Sequence, residues 1–103
     1  KGNIIVCDQN NNRIQIFDCE GKFISKFGSE GYENEQFVFP WRVCVDLDDN
    51  ILVCDRNNSR IQIFNSEVEY ITQFNVIHPV SATINTKTQE IIVCGADHKI
   101  SIF

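Results

Sequence analysis

The chain repeats itself, and the repeat restricts the possible folds more than any other feature. Ile4-Ile5-Val6-Cys7-Asp8-Gln9-Asn10-Asn11-Asn12-Arg13-Ile14-Gln15-Ile16-Phe17 returns as Ile51-Leu52-Val53-Cys54-Asp55-Arg56-Asn57-Asn58-Ser59-Arg60-Ile61-Gln62-Ile63-Phe64. A weaker third copy, Ile91-Ile92-Val93-Cys94-Gly95-Ala96-Asp97-His98-Lys99-Ile100-Ser101-Ile102-Phe103, is one residue shorter. The copies start at Ile4, Ile51 and Ile91, offsets of 47 and 40. A period of that length built on short apolar runs is the signature of a propeller or solenoid. Such arrays present surfaces, which tilts the expectation toward recognition and away from catalysis.

Within each copy, β-branched and aromatic runs alternate with polar punctuation, the pattern of short antiparallel strands. The middle copy reads as four strands, Trp41–Asp46, Ile51–Asp55, Arg60–Asn65 and Glu69–Phe74, with a loop at Arg56–Ser59. Four such strands form a meander, the unit of one propeller blade. The first copy reads as Asn3–Asp8, Arg13–Asp18 and Lys22–Phe27, and the third as Val80–Asn85, Glu90–Gly95 and Lys99–Phe103. The expected organisation is an incomplete blade over 1-28, a complete blade over 39-74 and an incomplete blade over 79-103. Gly28–Val38 reads as a polar inter-blade connection carrying Glu30, Glu33 and Glu35. Closed propellers use about 4–8 blades, so the remaining blades, or another chain, are expected to complete the fold.

Composition excludes several classes. No apolar run approaches the ~20 residues of a membrane-spanning helix, and no basic-then-apolar leader precedes the first repeat. The net charge of −5 argues against a polyphosphate binder whose whole surface is basic. The five cysteines, Cys7, Cys19, Cys44, Cys54 and Cys94, fit neither a disulfide framework nor a C-x-x-C zinc site. Cys7, Cys54 and Cys94 hold one position in the three copies, as small apolar side chains packed between sheets do. Free thiols suit a reducing compartment, so a cytoplasmic location is expected.

The run Phe39-Pro40-x-x-Val43-x-Val45-Asp46-x-x-x-Asn50-Ile51-x-Val53-x-Asp55-x-x-Asn58-x-Arg60-Ile61-Gln62-Ile63-Phe64 resembles the NHL repeat. The first copy matches its latter half. Phe37-x-Phe39-Pro40-Trp41-x-Val43 looks most like the propellers at the C-terminus of tripartite-motif ubiquitin ligases and of Brat-type translational repressors. The resemblance implies an all-β segment of a six-bladed NHL β-propeller made of four-stranded antiparallel blades. There are departures. Cysteine stands where the repeat usually has alanine (Cys7, Cys44, Cys54), Trp41-Arg42 replaces the glycine region after the proline, and Gly95 replaces the motif aspartate.

Two sets of residues are candidates for roles. Asp8, Asn11, Arg13 and Asp55, Asn58, Arg60 recur once per copy. Asp and Asn can bond backbone in tight loops and Arg can pair with a carboxylate, so these sets read as a structural motif. Function in a repeat protein is expected where copies differ. Successive turns of a meander fall at alternate ends of the sheet. One rim therefore collects Asp18, Glu20, Asp48, Asp49, Glu67, Glu69 and Glu90. The other gathers Phe39, Trp41, Arg42, Arg56, His78 and His98, the candidate binding rim, with Lys99 nearby. Phe39 and Trp41 either pack between blades or offer stacking surfaces. Arg56 is either solvated or a contact to a partner.

Enzyme chemistry has little support, because His78 and His98 are the only histidines and stand apart. No cofactor, catalytic residue or metal ligand set is expected. The resemblance implies a non-catalytic platform for protein partners, selecting substrates or partners in a tripartite-motif-type ubiquitin ligase whose ligase activity resides in other domains. The alternative it implies is a surface for single-stranded or hairpin RNA in a translational repressor, with stacking on aromatics and arginine contacts. No membrane partner is expected.

Overall fold

The structure, a computed structural model, describes residues 2–103. It contains ten strands: β1 (Ile4–Asp8), β2 (Arg13–Phe17), β3 (Phe23–Phe27), β4 (Pro40–Val45), β5 (Ile51–Asp55), β6 (Arg60–Phe64), β7 (Tyr70–Asn75), β8 (Pro79–Ile84), β9 (Ile91–Gly95) and β10 (Ile100–Ile102). They form three antiparallel meander sheets, β1-β2-β3, β4-β5-β6-β7 and β8-β9-β10. Every strand expected from the sequence is present, with ends within two residues of those read from the alternation.

Period-two alternation decides how the sheets stack. One face of the four-stranded sheet carries Val43, Ile51, Val53, Phe64 and Tyr70. These pack with Ile5, Cys7, Ile14, Ile16 and Phe27 of the first sheet. The other face carries Cys44, Leu52, Cys54, Ile61, Ile63 and Phe74, which pack with Ala82, Ile84, Ile91 and Val93 of the third. The middle sheet is thus a layer covered on both sides. That explains why β5 reads as the continuous apolar run Ile51-Leu52-Val53-Cys54: all of its residues are buried.

The connections at one rim share a device that the sequence reading did not resolve. Asp18, Asp46, Asn65 and Asn85 each turn a side-chain oxygen onto backbone N–H groups two residues on, at 2.9, 2.9, 2.9 and 3.0 Å. The chain then passes through a positive φ at Gly21, Asp49, Val68 and Gln89. These are Asx-type turns, and they fix the hairpin registers. At the opposite rim, Gln9–Asn11 and Arg56–Asn58 are single 3₁₀ turns rather than plain loops. The third copy, one residue shorter, instead closes with His98 N–H donating to Gly95 O at 3.1 Å. A Cβ on Gly95 would lie 2.8 Å from Ile77 O, so the departure from aspartate there has a steric cause.

The connection 28–38 is less polar in its packing than its sequence suggests. Phe37 is fully buried, with its ring centroid 6.2 Å from that of Phe27 and 6.0 Å from that of Phe64. Gly28, at φ 99°, makes room for it: a Cβ there would lie 2.5 Å from the Phe37 ring.

Burial raises the thiol pKa values in the central sheets: Cys7 to about 11, Cys44 to about 11 and Cys54 to about 12, mainly by desolvation of the thiolate. The folded state therefore favours the thiol form. That contribution is complete below the unfolded cysteine range near pH 8.5 and declines as pH rises toward about 11–12. At pH 8, exposed Cys19 should label within minutes and Cys54 only as fast as the chain unfolds. Mass-resolved labelling with a maleimide checks this, and equal rates for Cys19 and Cys54 would contradict the packing.

Candidate functional site: an aromatic and arginine rim beside a strapped repeat motif

The motif residues act first on the backbone. Asp55 is fully buried and accepts from Arg60 Nε at 2.8 Å through Oδ2 and from the Val38 N–H at 2.8 Å through Oδ1. The rest of the Arg60 guanidinium donates to the carbonyls of Tyr32 (3.0 Å), Glu33 (2.8 Å) and Gln36 (2.8 Å). Asn58 donates to Gly31 O at 2.9 Å. Gln62 donates to Gln36 O at 2.7 Å and accepts from Glu35 N–H at 3.0 Å. The planar guanidinium fork suits several carbonyls at once, and the motif straps the connection 28–38 to the middle sheet. Asp8, Asn11 and Arg13 repeat the core of this network: the Asp8 carboxylate accepts from Arg13 Nε at 2.8 Å and from Asn11 Nδ2 at 3.1 Å. The Asp8 carboxyl titrates below the usual range, first because of the Arg13 hydrogen bond and then that of Asn11.

The rim candidates sit where the second family of turns converges. Backbone hydrogen bonds tie the turns together: Asn57 N–H to Val38 O at 3.1 Å, Val76 N–H to Ser59 O at 3.0 Å and Ala96 N–H to His78 O at 2.9 Å. Phe39 and His78 occupy equivalent places before Pro40 and Pro79. Both have positive φ, 54° and 42°, a costly conformation for such residues. Each is held by the left-handed residue that closes a 3₁₀ turn: Phe39 N–H donates to Asn12 Oδ1 at 2.7 Å and His78 N–H to Ser59 Oγ at 3.3 Å.

Trp41 follows at a bulge. The β4–β5 register shifts between Pro40 and Arg42, and a bulge re-aims its side chain. The Trp41 ring meets Phe39 edge-on at 5.3 Å, and the Arg56 guanidinium carbon lies 5.3 Å from the indole centroid. This is within cation–π range. Arg56 Nη1 donates to Asn57 at 2.9 Å, while its Nε is sealed from solvent without a partner. His78 Nδ1 lies 3.2 Å from Arg56 O, and Gln9 donates to Trp41 O at 2.9 Å.

Phe39, Trp41, Arg56 and His78 therefore form one cluster. Arg42 is exposed on β4 and pairs in register with Cys54. His98 is exposed in the last turn and hydrogen-bonds only within that turn. These two do not join the cluster. The third copy has Val80 in place of Trp41 and Ala96 in place of Arg56, so the patch is specific to the middle copy. Gln9, Asn12 and Ser59 were missed by the sequence reading. They act through single contacts across sheets, which no local pattern encodes. A cleft of about 220 Å³ opens at the opposite rim, lined by Ile5, Ile16, Val45, Asp49 and Ile51 among others; it includes none of the rim candidates. Among the described residues, no group of three or more His, Cys, Asp or Glu side chains is placed to hold a metal ion, and no helix is long and apolar enough to cross a membrane.

Three stacked antiparallel meanders, two of them carrying an Asp-x-x-Asn-x-Arg motif, define an all-β array of the β-propeller type. The family profile described as NHL repeat matches residues 37–64, the connection's last residues and the first three strands of the middle sheet. Over 45 residues, 44% of this chain, the sequence is 51% identical to Protein brain tumor of Drosophila melanogaster, and the match spans 4% of that protein. Among solved structures, a putative exported protein of Bacteroides fragilis superposes with a TM-score of 0.76 over 97% of this chain and 34% of its own, at 12% identity. A streptogramin B lyase does so at 0.65 over 99% and 37%, at 14% identity. At such identities the likeness is one of fold.

Proposed function

We propose that this segment is a non-catalytic recognition platform for protein partners. Its three sheets belong to an incomplete, a complete and an incomplete blade of a larger propeller, over 1-28, 39-74 and 79-103. In the parent protein the platform selects substrates or partners for a tripartite-motif-type ubiquitin ligase, with the ligase chemistry in other domains. The reading places it in the cytoplasm. The observation that carries it is the Phe39–Trp41–Arg56 cluster: the residue types that dominate binding energy at protein interfaces, assembled at one rim by a bulge and two strained pre-proline positions. In the complete propeller, Trp41→Ala should weaken a genuine partner by about 2 kcal/mol, roughly 30-fold in Kd, while the variant remains folded at the assay temperature. Quantitative co-purification after ribonuclease treatment, parent against Trp41→Ala, followed by titration of the recovered partner, tests it. An unchanged partner set and unchanged Kd would defeat the reading.

A second reading, binding of single-stranded or hairpin RNA at the same rim, draws on the charge distribution. The carboxylates of Asp18, Glu20, Asp48, Asp49, Glu67, Glu69 and Glu90 lie in or beside the Asx-turn rim, whereas Arg42, Arg56 and Lys99 lie toward the other, together with Glu30, Glu33, Glu35 and Asp97. RNA binding would fall steeply with salt and be lost in Arg56→Glu and Arg42→Glu. Protein binding anchored on the aromatics would be less salt-sensitive.

A further inference from the structure

The two junctions between the described sheets differ in the chain that bridges them. Between β3 and β4 the chain takes the long connection 28–39, but between β7 and β8 only 76–78. The long connection fills the space between its two sheets at this rim: Phe37 is buried, and Asn58, Arg60 and Gln62 bond its backbone. The short one does so only in part. Val76 packs on the apolar cluster that joins the middle and third sheets, while Ile77 stays 65% exposed. Beside them a groove is open in two continuous parts. One, of about 210 Å³, is lined by Asn75, Ile77, Gly95, Asp97, Lys99 and Ser101 among others. The other, of about 280 Å³, shares Asn75, Val76 and Ile77 and reaches Asn58 and Ser59.

One wall of the groove repeats the motif in altered form. Val93 pairs with Ser101 as Val53 pairs with Gln62, and Gly95 N–H donates to Lys99 O at 3.0 Å, so Lys99 and Ser101 hold the places of Arg60 and Gln62. Gly95 lacks the motif carboxylate, but Asp97 restores one: its Oδ1 lies 2.9 Å from where a Cβ on Gly95 would stand. In the middle sheet the corresponding groups are engaged by the connection. Here the Asp97 carboxylate accepts only the Lys99 N–H, at 3.1 Å. Among the described residues, the Lys99 ammonium and the Ser101 hydroxyl bond nothing. In the middle sheet β7 lies beside β6 in the same layer. A strand beside β10 would by the same geometry extend the wall and leave the gap between the layers.

We propose that the groove over Ile77, Asp97, Lys99 and Ser101 binds an extended peptide segment of a protein partner. The filled junction is the template for the occupant: there an extended stretch is held through its backbone, with N–H groups on Asp55 and Gln62 and carbonyls on Arg60 and Gln62. At the open junction Asp97 accepts a backbone N–H of the segment, and Lys99 donates to its carbonyls or to a carboxylate. Ser101 does either, and an apolar side chain of the segment covers Ile77. The proposal rests on the protein-partner reading of the rim, with which the groove is continuous. Its Ser59 end accepts the His78 N–H at 3.3 Å, and His78 Nδ1 lies 3.2 Å from Arg56 O. A partner anchored on Trp41 and Arg56 thus runs on into the groove.

The test uses the full-length protein and, as probe, a fluorescein-labelled synthetic peptide with the sequence of residues 28–38, acetylated and amidated at its ends. Fluorescence anisotropy should show saturable binding that weakens about 10-fold in Lys99→Glu and also weakens in Ile77→Ser. Both side chains are exposed, so both variants fold. Lys87→Glu makes the same charge change at the opposite rim and should bind as the parent does. Absence of saturable binding, or equal losses in Lys99→Glu and Lys87→Glu, would overturn the proposal. Co-purification from cells separates it from the reading it rests on. Partners lost in Lys99→Glu but kept in Trp41→Ala would support the groove and defeat the anchor on Trp41. Partners lost in Trp41→Ala but kept, at unchanged Kd, in Lys99→Glu would overturn the groove alone. Losses in Lys99→Glu that disappear after ribonuclease treatment would assign the groove to RNA and overturn the proposal.

Discussion

Arg60→Ala should destabilise the propeller by about 3–5 kcal/mol, the cost of removing one partner from a buried ion pair. The Arg60 and Asp55 side chains are 7% and 0% exposed, so solvent screening does little to reduce the effect. The substitution leaves Asp55 buried without its main counter-charge and strips the carbonyls of Tyr32, Glu33 and Gln36 of their guanidinium donor. Gln36 retains only the Gln62 amide. Urea unfolding of the parent and variant, with fitted midpoints and slopes, measures the loss. A change under about 1 kcal/mol would show that the guanidinium does not hold the strap. The double variant Asp55→Ala, Arg60→Ala should cost less than the two single losses added together, because residues in one network couple.

Phe37→Ala should cost a similar amount, about 3–5 kcal/mol, from lost burial plus the cavity left behind. The ring is fully buried between Phe27 and Phe64 in a connection that has no strand of its own to keep it in place. Loss of the ring should therefore also loosen the connection, seen as faster limited proteolysis between Gly28 and Val38. Tyr32, 77% exposed in the same connection, provides the contrast. Tyr32→Ala should stay within about 0.5 kcal/mol of the parent. Equal losses at Phe37 and Tyr32 would mean that the connection is not packed as described.

Much of the architecture was legible because strands and registers are local matters. The run Ile51-Leu52-Val53-Cys54 needed burial on both sides, and the repeat offsets required stacked equivalents to supply it. The Asp-x-x-Asn-x-Arg spacing announced a structural network, since a residue needed once per copy serves the copy. The site was legible only in outline. Phe39, Trp41 and Arg56 stood out because the copies differ there. What joins them is a register shift at Pro40 and backbone N–H hydrogen bonds to Asn12 and Ser59 that reach across sheets. A bulge and a positive φ before proline break the propensities on which sequence reading depends. The buried Phe37 escaped for a related reason: three glutamates around it give the connection a polar composition, and only the ring's neighbours reveal its packing.

The two motif arginines separate what each level decides. The sequence by itself determined that Arg13 and Arg60 each follow a short polar loop, open a strand and stand five residues after an aspartate with which an arginine can pair, because spacing along one hairpin sets those contacts. It could not distinguish them further, for Asp8-x-x-Asn11-x-Arg13-Ile14-Gln15-Ile16-Phe17 and Asp55-x-x-Asn58-x-Arg60-Ile61-Gln62-Ile63-Phe64 have the same residues at every quoted position. The tertiary structure made one a buried strap at 7% exposure and left the other at 32%. The physical reason is that a guanidinium has more donors than its own hairpin has acceptors. The rest must be met by whatever chain segment packs across the sheet, and that is a property of the assembled layers.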